Sequence, residues 1–137
     1  MRAVVDTNVL VSAALKPHGP PAQLLRHLLD GALELVVCNH LLAEVERTLA
    51  LPRIAVRMAD GRAPEVLSLI RSEATVAGDP VDPPARSRDP DDDYLLALAE
   101  STRSILVTGD ADLLELRDRF PVWTTAEMLT ALDAAGI

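Results

Sequence analysis

The chain has one cysteine, Cys38, and three aromatic residues, Tyr94, Phe120 and Trp123. A single thiol cannot close an intramolecular disulfide, which points to a reducing compartment, and it excludes a cysteine-rich zinc site. So few flat rings exclude a nucleic-acid binder built on stacking platforms, because each stacked base needs a π-face. Lysine is nearly absent (Lys16 is the only one), and thirteen basic residues face twenty-one acidic ones, for a net charge of -8. A protein that coats duplexes by counterion release needs the opposite balance. No apolar run approaches the roughly 18 residues of a membrane helix. Arg2, three apolar residues and Asp6 do not open a signal peptide. These absences lead us to expect a cytoplasmic protein without membrane contact. A glycine-rich phosphate loop is also missing, since Thr108-Gly109-Asp110 is a one-glycine turn. His18, His27 and His40 lack the i, i+4 spacing of a metalloprotease helix.

What remains is aliphatic: 49% of the 137 residues are apolar, enough for one well-filled domain over residues 1–137. Short apolar runs at Ala3 to Val5, Leu33 to Val37, Ile105 to Val107 and Pro121 to Trp123 read as strands, with Thr75 to Ala77 as a further short one. Helices are expected from Pro21 to Gly31, after an N-cap at Asn39, from Pro64 to Ser72, after Asp89-Pro90, through Leu113 to Leu116, and from Thr125 to Ala134. Gly31 stops the first of these and Pro52 ends or kinks the second. Gly78 to Arg88, with four charges and three prolines, reads as a loop. Wholly apolar strands alternating with helices predict an α/β fold, a mostly parallel sheet covered on both faces. Ligands in such sheets bind beyond the carboxyl ends of the strands.

The residues at those ends are acids. Asp6 follows the first strand, Asp110 the strand at Ile105 to Val107, Glu44 lies early in the helix after the second strand, and Asp92 in the turn opened by Asp89-Pro90. Carboxylates gathered at one edge repel each other, and a hard divalent cation with oxygen ligands relieves the conflict. Helical stepping puts Asp92 on the face of Leu95, Leu96 and Ala99, and puts Asp93 on the more solvated side. The same test does not separate Glu44 from Glu46. Blander roles exist for each acid: Asp89 and Asp92 as cap and N3 acceptor around Pro90, Asp91 and Asp93 as complements to the helix dipole, Asp110 as an N-cap, and Glu44 as a surface partner of Arg47 or Thr48. Four such roles converging on one sheet edge are harder to accept than any one alone.

The motifs, taken in order, resemble the PIN-domain family. Val4-Val5-Asp6-Thr7-Asn8-Val9-Leu10-Val11-Ser12 is similar to its opening signature, Glu44 in Leu41-Leu42-Ala43-Glu44-Val45 to its second acid, Arg88-Asp89-Pro90-Asp91-Asp92-Asp93 to its third block, and Leu106-Val107-Thr108-Gly109-Asp110-Ala111-Asp112 to its fourth. The resemblance implies a three-layer α/β/α nuclease domain with a Mg²⁺- or Mn²⁺-dependent site at Asp6, Glu44, Asp92 and Asp110. Asp112 is a fifth candidate ligand, and Asn8 and Thr108 are supporting residues. Within the family the chain looks most like the VapC-like toxins of type II toxin–antitoxin systems, which implies an RNA substrate, an antitoxin partner and a homodimer. Its proline-rich insert departs from the commonest pattern.

Metal-assisted hydrolysis of an RNA phosphodiester is the activity this implies, with Glu44 completing the ligand set or accepting a proton from water. An aspartyl phosphatase is a rival, but such enzymes place a second Asp two residues after the first, where this chain has Asn8. A non-catalytic cation-binding module of the receiver kind is another, but it needs a lysine late in the sheet. Residues 45–72, with five basic and three acidic side chains, are the one net-basic stretch. Arg47, Arg53 and Arg57 in it are expected to contact phosphate.

Overall fold

The computed structural model describes residues 1–136. Its centre is a five-stranded sheet, every pairing parallel, in the order β3-β2-β1-β4-β5. The strands are β1 (Arg2–Val5), β2 (Glu34–Val37), β3 (Thr75–Val76), β4 (Ile105–Val107) and β5 (Val122–Trp123). β1 is central and apolar on both faces, with Ala3, Val4 and Val5 all buried, as a strand covered on two sides must be. The chain first builds outward from β1 to β2 and β3, then returns to add β4 and β5 on the other side. Right-handed crossovers place helices on both faces of the sheet, which gives a three-layer α/β/α sandwich. The reversal falls between β1 and β4, where Val5 pairs with Val107. Such a switch point leaves a crevice at the carboxyl ends.

The helices are α1 (Thr7–Leu15), α2 (Pro20–Leu29), α3 (Asn39–Leu49), α4 (Pro52–Ala55), α5 (Arg62–Glu73), α6 (Asp93–Ser101), α7 (Ala111–Leu114) and α8 (Thr125–Ala135). α1 packs against α2 and α3, and α6 lies across β1 and β4. Gly31 ends α2 in the left-handed region at φ 82°, and the Ala32 and Leu33 N–H groups both return to the His27 carbonyl. Among the described residues no helix is long and apolar enough to cross a membrane.

Three details depart from the sequence expectations. α1 is an extra helix: Val9, Leu10, Val11, Ala13 and Ala14 are all buried, so it has almost no polar face to mark a 3.6-residue period. Asn39 does not cap α3. Cys38 occupies the cap position, and the Asp79 carboxylate reaches in from the proline-rich loop to accept the His40 N–H at 3.0 Å. Asp93 is not on a solvated side; it is 4% exposed. The loop folds back over it, and its Oδ1 accepts the N–H groups of Arg86 (3.0 Å) and Ser87 (2.7 Å).

α8 begins with a full capping box. The Thr124 hydroxyl accepts the Glu127 N–H at 3.2 Å, and the Glu127 carboxylate accepts the Thr124 N–H at 3.0 Å. Thr124→Ala is expected to lower stability by about 1 kcal/mol, read as an earlier urea midpoint at unchanged slope.

Candidate active site

Asp6 leaves β1 at the switch point. Its N–H donates to the Val107 carbonyl at 2.9 Å, which extends the β1–β4 ladder by one step and sets the side chain over the strand ends. The carboxylate is 6% exposed. Its Oδ2 accepts the hydroxyl of the fully buried Thr108 at 2.8 Å. That same hydroxyl accepts the Asp110 N–H at 3.0 Å, so one threonine fixes the positions of two acids. Burial raises the Asp6 pKa against the pull of the Thr108 bond, and the charges of Glu44 and Asp110 raise it further.

Asp110 caps α7, its Oδ1 accepting the Asp112 N–H at 2.9 Å. Capping uses one oxygen, and the carboxylate still acts on Asp92. Burial first, then the charges of Asp6, Asp89 and Asp110, push Asp92 up to about 7. Asp92 closes a single 3₁₀ turn, Pro90–Asp92, in which Asp89 caps the Asp91 N–H at 3.0 Å. Proline at the first position and an acid before it make this turn from sequence alone. Of the neighbouring acids, Asp92 faces Asp6 and Asp110, while Asp93 is consumed in holding the loop.

Glu44 approaches from α3, where its carboxylate accepts the hydroxyl of the buried Thr7. Glu46 points elsewhere and pairs with Arg71 of α5 at 2.9 Å. The structure thus brings Asp6, Asp92, Asp110 and Glu44 together. Asp112 meets the cluster through its N–H, which the Asp110 carboxylate accepts. Asn8 is exposed and lines a cleft of about 300 Å³ with Asp6, Ser12 and Asp110. Arg47 lines a second cleft, about 460 Å³, together with Glu44. Arg53 and Arg57 are exposed around α4 and line neither of these clefts. A third cleft of about 480 Å³ sits at the amino ends of β4 and β5, away from the acids.

Thr7 and Tyr94 were not legible as site residues. Thr7 looks like part of a strand-end turn until α1 is seen to start there. Tyr94 reads as core, yet its buried hydroxyl has no hydrogen-bond partner, and burial followed by the Glu44 charge pushes the phenol well above its usual range.

Among the described residues no three carboxylates close into a ready cage for a metal ion. The donor set nevertheless suits a hard cation. It is all oxygen and mutually repelling, and burial together with the neighbouring charges pushes Asp92 up to about 7. Mg²⁺ keeps several of its waters and needs few protein ligands, so an open cluster accommodates it.

A family model described as PIN domain matches residues 2–112. The chain is 28% identical over 122 residues to Uncharacterized protein MJ1680 of Methanocaldococcus jannaschii, covering 86% of this chain and 76% of that protein. In fold it is similar to PAE2754 from Pyrobaculum aerophilum, with TM-score 0.69 and 21% identity over 98% of this chain and 90% of that one. It is also similar to VapBC2 from Rickettsia felis, whose structure is bound to a DNA fragment from their promoter. There the TM-score is 0.59 and the identity 14%, over 90% of this chain and 97% of that one.

Proposed function

The chain belongs to the PIN-domain family, whose members are generally nucleases, and from that premise we propose that it is a Mg²⁺- or Mn²⁺-dependent endoribonuclease, the toxin of a type II toxin–antitoxin pair. The observation that carries this reading is the meeting of Asp6, Asp92 and Asp110 at the carboxyl ends of β1 and β4, with Glu44 facing them. Asp6, Asp92 and Asp110 would hold the cation, with Glu44 completing the set and Asp112 as a further ligand. A bound cation supplies an acidified water and charge to offset that of the phosphate. The rest falls to the chain's own residues. Thr108 holds Asp6 and the Asp110 backbone in register. Thr7 holds Glu44, which takes the proton of the attacking water. The Asn8 amide orients that water at the mouth of the smaller cleft. Arg47, Arg53 and Arg57 contact the RNA backbone outside it.

Incubation of a single-stranded RNA with the purified chain in Mn²⁺, and in EDTA, tests this. Cleavage is expected in Mn²⁺ alone, and activity unaffected by EDTA would sink the metal dependence. Because water is the nucleophile, an RNA carrying one 2′-deoxy residue at the cut site is expected to be cleaved as fast as the parent, with no 2′,3′-cyclic phosphate in the products. The fold likeness to VapBC2 supports an antitoxin partner. A small protein encoded next to this chain should co-purify with it and suppress cleavage, and the free chain should elute as a homodimer.

A further inference from the structure

Tyr94 is the chain's sole tyrosine, the second residue of α6, and it is 7% exposed. Its ring stands edge-on to His40, centroids 4.3 Å apart at 65°. His40 belongs to α3, the helix that carries Glu44, so the two rings join the start of α6 to the helix of that acid. Packing accounts for the ring, and phenylalanine would pack as well. The hydroxyl is the part that packing does not explain. It is sealed from solvent and has no hydrogen-bond partner. A buried hydroxyl left so costs desolvation that phenylalanine at the same place avoids.

Beside it stands the Thr7 hydroxyl. Burial, then the charge of Glu44, hold the phenol well above its ordinary range, and Thr7 pulls the other way. Thr7 is itself buried, and its one hydroxyl hydrogen goes to the Glu44 carboxylate. A hydroxyl has one hydrogen and two lone pairs, so the Thr7 Oγ1 is still able to accept. Tyr94 has a hydrogen to give, and water does not reach it. Glu44 meets this buried pair through Thr7 and also lines the open cleft of about 460 Å³. The three residues tie the site together, since α1 starts directly after Asp6, α6 directly after Asp92, and Glu44 lies on α3.

We propose that Tyr94 is a positioning residue for Glu44: its hydroxyl closes onto the Thr7 Oγ1, and the two hydroxyls form a donor chain that ends on the carboxylate. Each bond in such a chain polarises and strengthens the next. Glu44 is thereby held as an oriented acceptor, with no contact between Tyr94 and substrate. The effect on cleavage rests on the nuclease reading above, whereas the donor chain is a property of the protein alone.

Two measurements test it. Tyrosine labelled with ¹³C at Cζ gives one NMR signal, because the chain has one tyrosine. In the metal-free chain that signal is expected to shift in Thr7→Val and in Glu44→Gln, which break or weaken the donor chain. With Mn²⁺ and saturating RNA, Tyr94→Phe is expected to lower kcat about three- to tenfold at unchanged KM. A merely structural hydroxyl would move the melting temperature and leave kcat of the folded enzyme alone. In a Thr7→Val background Tyr94→Phe should cost nothing further, since its route runs through Thr7. A Tyr94 signal indifferent to both changes, full cleavage by Tyr94→Phe, or losses that add in the double variant would overturn the assignment. RNA cleavage by a chain whose Tyr94 signal is indifferent defeats this inference alone. A signal that follows Thr7 and Glu44 in a chain that cuts no RNA defeats the nuclease reading and leaves the donor chain standing.

Discussion

Asp6→Asn removes RNA cleavage, lowering the rate in saturating Mn²⁺ by at least about a thousandfold, and leaves the fold intact. The two halves of this expectation come from the same geometry. Asp6 is the one acid of the cluster that is almost fully buried, and it sits where β1 and β4 diverge. An amide there still accepts the Thr108 hydroxyl, so the local bonding survives. It carries no charge for a cation. In the metal-free chain, burial and the charges of Glu44 and Asp110 raise the cost of ionising Asp6. Asparagine removes that cost, and the variant should melt no lower than wild type in EDTA. Cleavage rates and thermal melts on the same preparations check both statements. A variant within tenfold of wild-type activity would remove Asp6 from the mechanism.

The strands and the acids at their ends were legible because both signals are local. An aliphatic run of three or four residues that stops at Asp6 or at Thr108-Gly109-Asp110 states where a buried parallel strand ends. The order of the motifs carried the fold class further than periodicity did. Packing details were not legible. α1 is apolar nearly all round and carries no periodic contrast, so the run after Asp6 shows no helical period. Asp93 seemed solvated because helical stepping considers one helix alone, whereas the Arg86–Ser87 backbone that covers it comes from a loop without regular structure. The choice between Glu44 and Glu46 is equally non-local: it depends on Thr7 on one side and Arg71 on the other. The proline-rich stretch read only as a loop in sequence. In the structure Asp79 pins it to the start of α3, where it becomes a wall of the larger cleft.

Burial of Asp92 among the other acids also predicts how the metal-free chain responds to pH. Asp92 has an ordinary value of 3.8 and is pushed up to about 7 in the folded chain. Well below pH 3.8 its carboxyl is protonated in both the folded and the unfolded chain, and folding carries no penalty from it. Between about 4 and 7 the unfolded chain releases the proton while the folded chain keeps it, so stability falls as pH rises. Above about 7 both are ionised and the loss is complete. A full conversion of the shift would be about 4 kcal/mol. Asp92 is partly exposed, and solvent screening reduces this to about 1–2 kcal/mol. Asp79 and Glu127 are shifted the other way, by their bonds to the His40 and Thr124 N–H groups, so their contribution is present at neutral pH and is lost as pH falls below their ordinary values of 3.8 and 4.5. Asp92→Asn removes the ionisation altogether. In EDTA the variant is expected to match wild type near pH 4 and to exceed it by about 1–2 kcal/mol at pH 8. Added Mn²⁺ should narrow that gap at pH 8, since a cation stabilises the charged cluster of the wild type and finds one ligand fewer in the variant. Urea unfolding at the two pH values, with and without Mn²⁺, measures each step. Equal pH slopes for the two chains would mean that neither burial nor the charges of Asp6 and Asp110 disfavour the ionised Asp92.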